Sequence, residues 1–303
     1  MTTTNRYRHA LPQLSGQPML TDSGLETTLI FLDGLDLPCF ASFTLLATAE
    51  GTARLRAYYD RHVKLAVSRG MGFIADTPTW RASRDWGVRL GYDDERLDAI
   101  NRAAVAMMFE IRETSERSPD GSNIPIVVSG NIGPRGDGYS PDRLMESDEA
   151  EAYHTPQVRT FADAGVDMIT AMTMTHVGEA IGIARAAKAV GVPLSMGLTV
   201  ETDGRLPTGQ SIADAIEVID ACGAPPAYYM VNCAHPDHFR NILAEAEGGG
   251  GFWRDRILAI RANASRKSHA ELDEATELDA GDPLHGTSEL ATQPPSSRRM
   301  LWH

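Results

Sequence analysis

No stretch of the 303-residue chain stays uncharged and apolar for the ~18 residues that a membrane-spanning helix needs. The opening MTTTNRYRHALPQLSG carries positive charge but lacks the apolar centre of an export signal. Cysteine is scarce: Cys39, Cys222 and Cys233 are the three present, too few for a disulfide framework in a domain of this size. A cytoplasmic protein is expected, neither exported nor embedded in a membrane. Positive charge is also short, with 28 Lys and Arg against 41 Asp and Glu and a net charge of −13. No basic stretch exists to displace counterions from a phosphate backbone, so no nucleic-acid partner is expected. A G-x-G-x-x-G after the first apolar run is missing as well, which weighs against a dinucleotide-binding sheet.

What is present is a recurring pattern. Short apolar runs at 18–20, 71–75, 124–130, 166–170, 192–200, 227–232 and 257–262 are each followed by turn residues and then by a segment of helical period. In TARLRAYYDRHVKLAVSRG, the residues Leu55, Tyr58, Tyr59, His62, Val63 and Ala66 share one face, and Gly70 closes the segment. In SIADAIEVIDACG the same face holds Ile212, Ile216, Ile219 and Cys222, closing on Gly223. Strands alternating with helices imply a parallel sheet. The chain has the about 250 residues that a (β/α)8 TIM-type barrel requires, and that fold is expected.

The eighth strand is where the pattern fails. The best candidate, Glu289–Thr292, runs into Gln-Pro-Pro, which cannot sustain a ladder. The expected organisation is therefore an extension over 1–17, a barrel over 18–283 that is incomplete at strand eight, and an atypical, disordered tail over 284–303 that reads as unrelated sequence appended to a truncated barrel. Strands one and seven would keep open edges unless another segment or subunit covered them, so a homo-oligomer is conceivable.

Chemistry in such a barrel collects at the C-terminal ends of the strands. The polar residues expected there are Asp22, Asp76 with Thr77, Asn131, Thr170 to Thr173, Thr199 with Glu201, Asn232 with Cys233, and Asn263. TDSGLET reads equally as a tight turn or as a carboxylate and open backbone facing a small polar substrate. SGNIGPRGDGY offers amides to a carboxylate but lacks the Lys-Ser/Thr of a phosphate loop. In VNCAHPDH, Pro236 opens a helix whose exposed first turn His235 and His238 cap or decorate. Alternatively Cys233 is one metal ligand among several drawn from different strands, catalytic zinc commonly taking three protein ligands. Neither Cys39, in a loop, nor Cys222, on an apolar helix face, looks available as a partner thiolate.

Taken together, LTDSGLETTL, ADTPTWRAS, GNIGPRGDGY, GLTVETDGRLPTGQSIADAI and VNCAHP resemble, in order and spacing, the motifs of the homocysteine S-methyltransferase family, over about residues 18 to 283. The resemblance implies a zinc-dependent barrel and a methyl transfer from a sulfonium, quaternary ammonium or folate-type donor to a small thiol. Metal coordination would ionise that thiol, whose free pKa is about 8.5. Cys233 would be a zinc ligand, and Asp22, Gly24, Thr77, Asn131, Asn232 and Asn263 would bind substrate. The sequence departs from the pattern in telling places. Ser23 replaces a glycine and Thr28 a glutamate. Met172 stands where the resemblance calls for the glutamate that anchors the substrate amine, and the Gly-Gly-Cys-Cys that supplies two further thiolates is absent. Weak zinc binding and little activity are therefore expected, with His235, His238, His285 and His303 as poor substitutes. A metal-free thiol- or amino-acid-binding barrel, and an unrelated barrel enzyme using Asp22 and Glu201 for acid–base work, are the alternatives.

Overall fold

The computed structural model describes residues 5–115, 124–138, 144–245, 252–273, 275, 277–279 and 281. In chain order its elements are β1 (Met19–Thr21), α1 (Leu25–Thr27), α2 (Ala49–Ser68), β2 (Gly72–Asp76), α3 (Arg84–Arg89), α4 (Asp94–Ser115), β3 (Ile126–Ile132), α5 (Ser147–Ala164), β4 (Met168–Met174), α6 (Val177–Ala189), β5 (Leu194–Leu198), α7 (Ile212–Asp220), β6 (Tyr228–Asn232), α8 (Pro236–Glu245), β7 (Ile257–Arg261) and α9 (His269–Asp273). The strands form one seven-stranded sheet in the order β1 to β7, every neighbouring pair parallel. Sequential parallel pairing with a helical return after each strand is the wiring of a (β/α)8 barrel. The sheet is curled into an incomplete barrel, as expected. Among the described residues no eighth strand joins β7 to β1.

Two hydrophobic clusters explain the curl. Phe73, Ala75, Ile126, Val128, Ile169 and Ala171 pack outward against the helices, where Leu55, Tyr58, Tyr59, Val63, Ile212, Ile216 and Ile219 are buried. Alternate residues, including Met19, Ile74, Val127, Met168, Tyr228 and Ala259, pack inward on one another. The two-residue period of a strand thus produces two cores from one sheet. The face expected of α2 is confirmed, with His62 half-buried at its margin. Thr48 caps that helix, its hydroxyl accepting from the Gly51 N–H at 3.0 Å. The helix α7 ends at Asp220, so Cys222 lies just beyond it, half-buried beside the core rather than on its face.

The N-terminal ends of the strands are sealed. Leu11 joins the inward cluster, and the Tyr7 N–H donates to Asp167 Oδ1 at 2.9 Å. Arg8 donates to Val166 O at 2.7 Å and to Ala162 O at 3.1 Å, bracing the turn where α5 ends at the left-handed Gly165. Beneath them Arg112 Nη1 meets Asp167 Oδ2 at 2.9 Å with both side chains buried. No helix among the described residues is long and apolar enough to cross a membrane.

Candidate functional site

At the opposite ends of the strands the backbone is strained. Cys233 follows β6 with φ of 55°, and Thr173, inside β4, has φ of 62°. Left-handed backbone costs an L-residue about 1–2 kcal/mol, so both must be held in place. The register of β4 against β5 slips between Ala171 and Met174, which accommodates Thr173. The holding residue is Asn232. Its Oδ1 accepts from the Thr173 N–H at 3.0 Å, and its Nδ2 donates to Thr173 Oγ1 at 3.0 Å and to Cys233 Sγ at 3.3 Å. Cys233 Sγ lies 3.6 Å from Thr173 Oγ1. Gly197 makes room for this clamp, since a Cβ there would come within 2.6 Å of Asn232 Oδ1.

Beside the clamp lies a buried charge cluster. Arg261, the last residue of β7, donates through Nη2 to Asp22 Oδ1 at 2.7 Å and to Ser23 O at 2.9 Å. Through Nη1 it reaches Asp76 Oδ2 at 3.3 Å and Met172 Sδ at 3.5 Å. Burial opposes the guanidinium charge, but Asp22 and Asp76 together outweigh it and raise its pKa. Burial pushes the Asp76 carboxyl up to about 6, with Arg261 opposing and Asp22 adding to the rise. Asp76 Oδ1 is enclosed and makes no hydrogen bond. Tyr58 OH donates to Asp22 Oδ2 at 3.2 Å. Nearby Glu26 accepts from Ser42 Oγ at 2.6 Å, and burial raises its pKa as well.

A narrow crevice, too tight for a water molecule, adjoins Cys233 and is lined by residues from the segments after β5, β6 and β7, among them Glu201, His235, His238, Asn263 and His269. His269 bridges all three loops: Nδ1 is 2.9 Å from Glu201 Oε1, and Nε2 is 3.0 Å from Cys233 O and 3.2 Å from Thr199 Oγ1. On the far side of Thr173, Trp80 donates to Met172 O at 3.4 Å. The Arg81 guanidinium lies 4.1 Å from the Trp80 ring centroid and 3.8 Å from that of Trp86.

The residues expected at the strand ends fall into separate groups. Asp22 and Asp76 share Arg261, whereas Asn232, Cys233 and Asn263 stand together, Asn263 Nδ2 donating to Cys233 O at 3.4 Å. Thr77 and Asn131 form a third group, the Asn131 N–H donating to Thr77 Oγ1 at 2.9 Å, and Asn131 Oδ1 is enclosed without a partner. Gly24 is exposed, its carbonyl accepting from the Thr28 N–H. Thr170 to Thr173 lie within β4 rather than at its end, because the strand runs on to Met174. His235 caps the first turn of α8, one of the two roles expected of it, but from a buried position rather than an exposed one. Its Nδ1 accepts from the Asp237 N–H at 3.1 Å and its pKa is lowered by burial, so it is no solvated decoration. Arg261 and His269 went unnoticed in the sequence. Arg261 alone left a signal, a charge closing the apolar run ILAIRA.

Zinc does not fit the described residues. No group of three His, Cys, Asp or Glu among them is placed to hold a metal, Cys39 is exposed, and Glu201 and His269 are engaged with each other. His285 and His303 lie outside the described residues.

A curled, sequentially wired parallel sheet of this kind, with a cysteine clamped after its sixth strand, places the chain in the class of (β/α)8-type barrel proteins. The homocysteine S-methyltransferase family model matches residues 19–286, and the chain belongs to that family. Among solved structures it is similar to the homocysteine methyltransferase MmuM from Escherichia coli. For the oxidized form the TM-score is 0.65 at 19% identity, covering 86% of this chain and 95% of that one. For the metallated form the TM-score is 0.58 at 19% identity, covering 86% and 96%. At that identity the likeness concerns the fold. No curated protein sequence matches the chain significantly.

Proposed function

We propose that the chain is an S-methyltransferase of this family. A small thiol gives up its proton beside Cys233 and its sulfur attacks an activated methyl group, so that a carbon–sulfur bond forms, the donor's bond to methyl breaks with its electron pair staying on the donor, and the methylated thioether, the demethylated donor and the proton depart. The observation that supports this most is Cys233 itself, in the Asn-Cys position of the family motif and held left-handed with its sulfur against Asn232 and Thr173. Asp22, Gly24, Thr77, Asn131, Asn232 and Asn263 are the positioning groups in this reading, and proximity is the main thing they supply. The setting is cytoplasmic, and homocysteine, giving methionine, is the reference acceptor.

Zinc is the metal this family reading calls for, with Cys233 as one ligand. The described residues supply too few further ligands, and each ligand lost weakens the site, so weak metal retention and slow transfer are the expected behaviour. The test measures zinc content and thioether formation from a sulfonium donor for the full chain and for Cys233→Ser. Slow turnover that disappears in the variant is expected. Turnover untouched by Cys233→Ser would overturn the reading, whereas one zinc per chain lost on that substitution would overturn only the weak-metal expectation.

A further inference from the structure

The loop after β1 carries a second constellation, one that methyl transfer leaves unused. Ser23 stands in TDSGLET where the family motif has a glycine, so its hydroxyl belongs to this chain rather than to the barrel pattern. Its carbonyl is fixed by Arg261 Nη2 at 2.9 Å, and its hydroxyl turns to α2, where His62 Nε2 lies 2.8 Å from Oγ. The other ring nitrogen, Nδ1, is 3.0 Å from Tyr58 O. A carbonyl only accepts, so Nδ1 carries the ring proton and Nε2 presents its lone pair to Ser23. The Tyr58 hydroxyl, 3.4 Å from Ser23 Oγ, gives its own proton to Asp22 Oδ2. Ser23 is therefore the donor and His62 the acceptor, the order in which an imidazole activates a serine nucleophile. Both side chains are half-buried rather than enclosed. Gly24 follows, exposed, and its N–H makes no hydrogen bond among the described residues, which leaves a donor beside the serine for a developing oxyanion. Behind the imidazole stands a carbonyl, which stabilises an imidazolium less than a carboxylate does. That restricts the substrate to acyl groups whose leaving atom departs readily as an anion: a thiolate, whose conjugate acid has a pKa of about 8.5, rather than an amide nitrogen.

We propose that Ser23 and His62 form a nucleophile and base that hydrolyse small acyl thioesters. Ser23 Oγ bonds to the acyl carbon while its proton passes to His62 Nε2. The carbon–sulfur bond breaks with its electron pair on sulfur, and the departing thiolate takes that proton. Water then attacks the seryl ester with His62 as its base, releasing the carboxylic acid and restoring the serine. This activity goes beyond methyl transfer and does not rest on it, since neither Cys233 nor a metal takes part. The probes are phenyl thioacetate and a fluorophosphonate, which bonds to activated serines, each applied to the full chain. Expected are a fluorophosphonate label on Ser23, located by peptide mass spectrometry, and a rapid release of thiophenol, both lost in Ser23→Ala. Ser23→Gly, which restores the family residue, stands in should the alanine variant not fold. His62→Gln, which keeps a polar side chain and removes the base, is expected to slow release by about a hundredfold. Absence of a label on Ser23 overturns the proposal. Release that persists in Ser23→Ala, as acyl exchange onto a cysteine thiol would give, overturns it too, and so does release unchanged by His62→Gln. Each of these results leaves methyl transfer standing.

Discussion

Two buried arginine–carboxylate clusters sit at opposite ends of the sheet, and they differ in completeness. At the sealed end Asp167 accepts from the Tyr7 N–H, the Val128 N–H and Arg112, so both oxygens are engaged. At the open end Asp76 leaves one oxygen without a hydrogen bond, and Arg261 fills its donor set with a thioether. Burial raises the carboxyl pKa at both ends. The difference therefore lies in the partnership of the carboxylates rather than in depth: Asp167 has both oxygens hydrogen-bonded and fastens the fold, whereas Asp76 has only one engaged.

Breaking the sealed pair should cost the most. Arg112→Met leaves Asp167 buried without its guanidinium, and a loss of about 3–5 kcal/mol in urea unfolding is expected. A loss under 1 kcal/mol would mean that the two ends are equivalent. Next comes pH. Asp76, at about 6 against a usual 3.8, holds its proton more tightly folded than unfolded. Its stabilising contribution is thus fully present below about pH 4 and lost as the pH rises through 6. Relative to Asp76→Asn, the native chain should lose roughly 2–3 kcal/mol between pH 4 and pH 8; parallel unfolding profiles for the two proteins would remove Asp76 as the titrating group. Arg261→Met should cost about 1–2 kcal/mol at pH 5, where Asp76 is mostly neutral, and more at pH 8. A pH-independent loss would contradict the coupling of the two residues. The smallest effect belongs to the clamp: Cys233→Gly should be more stable than Cys233→Ala by about 1 kcal/mol, because only glycine adopts φ of 55° without strain.

Much of the scaffold was legible in the sequence for a simple reason. Each strand buried on both faces is a short apolar run, and each helix between them repeats its apolar face at a fixed period. All seven expected strands are present, with ends shifted by a few residues where polar continuations such as Asn131 stay in the ladder. Cys233 was legible through its motif, and Asp22 through its place after the first strand. Their partners were not, since a hydrogen bond between residues 22 and 261, or between 199 and 269, leaves no local pattern. The positive φ at Thr173 was equally hidden, threonine being an ordinary strand residue.

The two clusters also differ in the length of chain that separates their members. Arg112 and Asp167 are 55 residues apart, and Arg261 and Asp22 are 239 apart. Loop-closure entropy and contact order make the distant pair the later one to form. A nascent chain therefore fastens the sealed end well before β7 exists. Until β7 docks, Asp22 and Asp76 crowd two acids at the open end with no cation between them. Completing the sheet and neutralising its rim are thus a single late step in the folding of this protein.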